Sequence, residues 1–180
     1  MRVVLIAAQS LDGFIAKHAL PGTAFTSPED QAWFPACLRD FDCCVMGGAT
    51  YRVARTAVLE QAATTARRRI VLTRQPTACA SDARPGRLEF TAEPPGELCR
   101  RLHAEGHRHC ALLGGGEING LFLAAGLVEE AWITLEPRIF GEGRPLATGR
   151  LDARLHLTET VRLGPDVLLL KYSVARGAAA

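Results

Sequence analysis

The sequence predicts an α/β fold built on one largely parallel sheet that closes in an antiparallel hairpin. Two observations predict it. Through the first two-thirds of the chain, unalternated apolar runs of strand length take turns with helical patterns, and the last third holds three apolar segments with no helix between them. A third observation bounds the size. In 180 residues, 48 % of them hydrophobic, one core can bury roughly 70 % of the unfolded surface, so one domain is expected over 1–176 with a frayed "GAAA" tail at 177–180.

The elements follow in order. "RVVLIAAQ" at 2–9 has no alternation and predicts a strand buried on both faces. The segment from Ser10 to Pro21, with Asp12-Gly13 and the ending "HALPG", reads as a long loop lying over a site, with Ser10 and Asp12 shaping its turn. "SPEDQAWFPACLRD" predicts a helix with Ser27 as N-cap and Pro28 at its first position. "DCCVMG" at 42–47 and "RIVLT" at 69–73 are the next strands, separated by the helical "TYRVARTAVLEQAA". The arginines of "TARRRI" read as a solvated strand entry. "PPGELCRRLHAEG" predicts a helix, 109–113 "HCALL" a strand, and "EINGLFLAAG" a short helix. "VEEAWITLEP", "RLHLTETVRLG" and "DVLLLKYSVA" then supply the last strands, the final two joined through Gly164 and Pro165.

Composition excludes several classes. Basic and acidic residues nearly balance, 21 against 19, so no field for a polyanion is implied and nucleic acid is not an expected partner. No apolar run reaches the length of a signal-peptide core or a membrane span, which predicts a soluble, cytoplasmic protein. Six cysteines form no C-x-x-C pair, and Cys43 and Cys44 should face opposite sides of one strand, so they read as reduced and mostly buried. "HAEGH" places His103 and His107 four apart, but Glu105 is misplaced for H-E-x-x-H and Gly106 weakens a helix there. The reading is two surface histidines and no metal site. No G-x-S-x-G elbow supports hydrolysis.

The chemistry concentrates in three strand-end turns. "LLGGGEING" runs from a strand through three glycines into a helix, which offers free N–H groups and a helix-dipole end to a pyrophosphate; taken alone it is equally a plain strand-to-helix turn. A dinucleotide fingerprint of the Rossmann type fits Gly114, Gly116 and Glu136 loosely. The third glycine, however, falls on Asn119, the helix is short, and only antiparallel strands follow. "VMGGATY" and "VLTR" end two further strands, so all three turns belong to the carboxyl edge of a parallel sheet, where such folds bind ligands. Asp30 has two readings, as the acidic member of a capping box or as a carboxylate facing a heterocycle.

With "IAAQSLDGFIA", "SPEDQAWF", "VMGGATY", "VLTRQP" and "LLGGGEINGLFL" in this order, the chain resembles the dihydrofolate-reductase-like superfamily over almost its whole length. "SLDGFIA" and "AGLVEEAWITLEPRIFGEGRPL" are most similar to the reductase domain of riboflavin-biosynthesis deaminase-reductases. The resemblance implies a central sheet of about eight strands with helices on both faces, NADPH as hydride donor, a pterin-like or aminopyrimidine substrate, and a homodimer. It places Gly114, Gly115, Gly116, Glu117 and Ile118 against the cofactor pyrophosphate, with Gly47, Gly48, Thr50 and Tyr51 opposite them. Thr73 and Arg74 fall near the 2′-phosphate, with Arg52 able to assist, and Ala8 and Ile15 beside the nicotinamide. Asp30 matches the pterin-pocket carboxylate of dihydrofolate reductases and becomes the catalytic candidate, with Trp33 and Phe34 just beyond it.

The chain departs from the pattern at three places. Gly48 stands where many relatives carry arginine, "YRVARTAVLEQ" replaces a short D-x-P-x-L motif, and the zinc-deaminase signature is absent from the sequence. Dihydrofolate reduction proper, and a non-catalytic nucleotide-binding dimer, are the competing expectations.

Overall fold

The computed structural model describes residues 1–18 and 22–175, so the expected tail and the end of the Ser10–Pro21 segment lie outside the described residues. Among the described residues ten strands and four α-helices form. The strands are β1 (Arg2–Ser10), β2 (Phe14–Lys17), β3 (Cys43–Gly47), β4 (Arg68–Leu72), β5 (Leu88–Thr91), β6 (His109–Leu112), β7 (Glu130–Glu136), β8 (Gly143–Pro145), β9 (Leu155–Arg162) and β10 (Leu168–Val174). The helices are α1 (Pro28–Cys37), α2 (Gly48–Thr64), α3 (Pro95–Ala104) and α4 (Gly116–Ala124).

Eight strands make the main sheet in the order β5-β4-β3-β6-β1-β7-β10-β9. The first six run parallel, and β10 and β9 close it as an antiparallel hairpin. The expected class is therefore the observed one. Alternate side chains of each strand enter different cores. Val3, Leu5, Cys43, Val45, Cys110 and Leu112 pack with α3 and α4 through Leu98, Leu102 and Phe122. Val4, Ile6, Cys44, Met46 and Ala111 pack with α1 and α2 through Cys37, Tyr51 and Val58. Cys43 and Cys44 thus divide between the two faces, and all six cysteines are free thiols.

Four expectations need correction. Phe14–Lys17 is not a loop: it pairs with Gly143–Pro145 as a separate two-stranded sheet, a contact that local sequence cannot announce. Leu88–Thr91 adds an unforeseen edge strand to β4, because a four-residue run with one fully buried side chain carries almost no periodic signal. α1 ends at Cys37 and tightens into a 3₁₀ turn over Leu38–Asp40. The "RRR" entry is not solvated either. Arg69 is buried and donates to Arg67 O at 2.7 Å and Thr65 Oγ1 at 2.8 Å, Arg67 reaches the Phe41 carbonyl at 3.1 Å, and Arg68 pairs with Glu89. Among the described residues no helix is long and apolar enough to cross a membrane.

Candidate active site

The carboxyl ends of β1, β3, β4 and β6 open into one cavity of about 1100 Å³. Two helices begin at its wall. α2 starts from Gly47 and α4 from Gly115, and neither N-terminus is closed by a side-chain hydrogen bond, so two sets of first-turn N–H groups and two positive dipole ends meet one space. The turns are tied together, with the Gly47 N–H donating to the Gly114 carbonyl at 2.6 Å. A Cβ on Gly115 would lie 3.5 Å from Thr50 Oγ1 and 3.9 Å from Ile15 Cδ1. That cradle of small residues and free N–H groups fits a pyrophosphate.

Most of the expected site residues line this cavity: Ala8, Ile15, Asp30, Gly47, Gly48, Thr50, Thr73, Arg74, Gly115, Gly116, Glu117 and Ile118. Two fall elsewhere. Tyr51 points into the core, where its hydroxyl donates to Asp82 Oδ2 at 2.5 Å beside the paired Arg55. Burial, then the Asp82 hydrogen bond, pushes the Tyr51 phenol up to about 12; the Arg55 and Tyr51 donors hold Asp82 down at about 2. Gly114 faces Gly47 rather than the cavity.

Cationic side chains gather on the β4 side. Arg74 is 93 % exposed and lies 3.7 Å from Glu117 across the cavity mouth, a solvated pair that holds neither side chain strongly. The Thr73 hydroxyl accepts from the Gln75 N–H at 3.2 Å, which leaves its own proton free to donate. Arg52 reaches the space beside Gly48. Its Nη1 stands 3.6 Å from where a Gly48 Cβ would be, while Thr73 Oγ1 is 3.3 Å from that point.

The opposite wall belongs to α1. Ser27 caps the helix, its Oγ accepting from the Asp30 N–H at 3.2 Å. The capping-box return, however, does not come from Asp30. Glu136, at the end of β7 and 1 % exposed, accepts from both the Ser27 N–H and its hydroxyl at 3.0 Å. With the cap completed by Glu136, the Asp30 carboxyl is left to face the cavity, 7 % exposed. Burial raises its pKa first, the Glu136 charge adds to the rise, and the Thr134 and Thr26 hydroxyls oppose it. Trp33 and Phe34 line the cavity and pack on the α1–α2 core.

Arg144 of β8, which lines the cavity, and the buried Thr134 hydroxyl beside the Asp30 carboxyl are site features the sequence does not announce. Arg144 depends on the unforeseen β2–β8 pairing. Thr134 carried a usable signal, since it lies two residues before Glu136 on the same strand face.

A mostly parallel eight-stranded sheet, a closing hairpin and a cavity beyond the strand carboxyl ends make up a dihydrofolate-reductase-like fold. The family model described as the RibD C-terminal domain matches residues 2–169, and the chain belongs to that family. Solved structures agree on the fold. A pyrimidine reductase-like protein from Corynebacterium diphtheriae is similar at 16 % identity, over 98 % of this chain and 92 % of that one, with a TM-score of 0.73. A diaminohydroxyphosphoribosylaminopyrimidine deaminase/5-amino-6-(5-phosphoribosylamino)uracil reductase from Thermotoga maritima is 15 % identical over 97 % of this chain, which spans 56 % of that protein, with a TM-score of 0.76. Dihydrofolate reductase from Enterococcus faecalis, complexed with NADP(H), is 18 % identical over 96 % of both chains, with a TM-score of 0.64. No curated protein matches the chain at a significant level.

Proposed function

We propose that the protein is a cytoplasmic NADPH-dependent reductase that delivers a hydride to a pterin-like or aminopyrimidine small molecule of the riboflavin-precursor kind. The observation that carries this reading is one cavity joining two uncapped helix N-termini on one side to a buried, cavity-facing Asp30 on the other. NADPH, when bound, supplies the hydride. The chain's own residues do the rest. Gly47, Gly48, Gly115, Gly116 and the first turns of α2 and α4 hold the pyrophosphate, and Thr73, Arg74 and Arg52 take the 2′-phosphate. Ala8 and Ile15 flank the nicotinamide. The Asp30 carboxyl accepts hydrogen bonds from the N–C–NH₂ edge of the heterocycle and keeps a proton available for the reduced product, since reduction consumes both hydride and proton.

Titration with NADPH and NADH, followed by cofactor fluorescence, tests this without knowledge of the substrate. NADPH is expected to bind more tightly than NADH by about ten- to a hundredfold, the worth of one charged hydrogen bond, and Arg74→Ala should erase the difference. Failure of both cofactors to bind would reduce the glycine turns to chain reversals and remove the proposed function with them.

Dihydrofolate reduction is a second reading, favoured by Asp30, Trp33 and Phe34 all lining the cavity in a P-x-D-x-x-W-F arrangement. Growth rescue of strains lacking one or the other reductase separates the two. We also propose a homodimer formed through the hairpin. β9 is the sheet edge, exposed along nearly its whole length with Leu155 and Leu157 in the open, an edge of the kind that pairs with another strand. Light scattering should give a mass of two chains; a monomer at working concentration rejects this.

A further inference from the structure

The amino end of the sheet, away from the cavity, carries a side-chain cluster for which reduction has no use. α3 stops in a left-handed turn at Gly106, φ 100°. The Gly106 N–H donates to the His103 carbonyl at 3.1 Å and the His107 N–H to the Leu102 carbonyl at 3.0 Å, the paired bonds of a Schellman stop. His107 therefore leaves the helix, so it shares no helical face with His103, and it turns back towards the start of β3. There its Nδ1 stands 3.4 Å from Asp42 Oδ1. With Cys43 Sγ they make a cluster in which one potential ligand atom from each of the three residues lies within 4.8 Å of the others.

The Asp42 carboxylate is held by one oxygen only. Oδ2 accepts from the Arg108 N–H at 2.8 Å and the His109 N–H at 3.2 Å, whereas Oδ1 is buried without a hydrogen-bond partner among the described residues. The 3.4 Å approach of His107 is longer than the usual N–H···O bond of about 2.7–3.2 Å. It is close to the separation of two ligand atoms on one tetrahedral ion, roughly 3.3 Å for bonds of about 2.0–2.1 Å. Cys43 is buried, its thiol directed at the His109 carbonyl at 3.8 Å. His107 and Asp42, with side chains 20 % and 39 % exposed, keep the cluster open to solvent.

We propose that Asp42 Oδ1, Cys43 Sγ and His107 Nδ1 form a site for a divalent transition-metal ion of the zinc kind, completed by water. One nitrogen, one sulfur and one oxygen donor suit a borderline ion rather than magnesium or calcium. A carboxylate and a thiolate together neutralise its charge. Binding requires the Cys43 thiol to release its proton to solvent as the metal–sulfur bond forms, and the three donors to draw together by about an ångström. The Arg108 and His109 N–H groups already orient the carboxylate as outer-sphere partners. An ion there ties the first residue of β3 to the turn before β6, so its effect falls on stability and not on the cavity.

Titration of the reduced, metal-free full chain with Co²⁺ tests the site. One equivalent should develop thiolate-to-cobalt charge-transfer absorption together with the intense ligand-field bands of tetrahedral cobalt, and Zn²⁺ should displace both and raise the melting temperature. Cys43→Ala and His107→Ala should abolish the thiolate band or the tetrahedral signature, Asp42→Asn should weaken affinity by at least about tenfold, and His103→Ala should change nothing. If Cys43→Ala does not fold, His107→Ala, altered at a partly exposed side chain, carries the test. A wild-type chain without the thiolate band at stoichiometric cobalt, or full retention of the spectrum in His107→Ala, overturns the proposal.

Discussion

Gly120→Ala is expected to destabilise the protein by about 2–3 kcal/mol net, the backbone clash outweighing the roughly 1 kcal/mol that alanine gains in a helix. On a chain of this length that is a fall of roughly 4–12 °C in melting temperature. A Cβ at Gly120 would lie 1.9 Å from the Thr148 carbonyl oxygen, and a backbone atom cannot move aside as a side-chain tip can. The segment following β8 is pinned across α4 at this point: Asn119 Nδ2 donates to the Leu146 carbonyl at 2.7 Å and the Thr148 N–H to the Gly116 carbonyl at 3.0 Å. The same segment is bonded to Gly116, one of the residues proposed to hold the pyrophosphate, so NADPH affinity should fall with stability. Gly96→Ala is the contrasting case. No atom lies within 4 Å of its added Cβ, and the position is the second of α3, so stability should rise by up to about 1 kcal/mol. Thermal melts of the two variants, side by side, give opposite signs if the packing argument holds.

That packing explains why part of the molecule was legible in its sequence and part was not. β1, β3, β4 and β6 were visible because strands buried on both faces must be apolar throughout, and the glycine turns because they end such strands. "GGGEING" looked like a dinucleotide fingerprint with asparagine in the third glycine's place. In the folded chain the close approach is made one residue later, by Gly120, and against the segment after β8 rather than against the sheet. Asn119 is a tether. Such roles depend on a partner far along the chain, and no local pattern encodes it. The same holds for β2 with β8, whose paired residues are about 130 positions apart, for Tyr51, drawn inward by Asp82, and for His107, taken out of its apparent pairing with His103 by the turn at Gly106.

Asp30 shows most directly how a distant residue sets chemistry. Its sequence context, three positions after an N-cap serine, describes a capping box, and the box is present except that Glu136 supplies the returning carboxylate. The displaced Asp30 carboxyl is buried near a second acid, and its pKa is raised. The native state therefore holds the Asp30 proton more tightly than the unfolded chain, for which the pKa is about 3.9. Asp30 consequently costs no stability below that range and an increasing amount as pH rises towards its raised value, above which the cost is constant. Asp30→Asn removes the charge at nearly the same volume. The variant should melt at or above the wild-type temperature near neutral pH, with the difference closing below about pH 4. Activity should move the other way. Loss of a positioned proton donor lowers kcat/KM by about 10²–10⁴-fold, while NADPH affinity should stay unchanged because the residues proposed to hold the cofactor lie on the opposite wall. In the proposed reaction the protonated Asp30 supplies the proton, so wild-type kcat/KM should rise as pH falls towards the raised pKa, and the variant's profile should be flat. Unchanged turnover and substrate affinity in Asp30→Asn would leave the carboxyl without a part in the reaction, and the buried acid would then be only a cost to the fold.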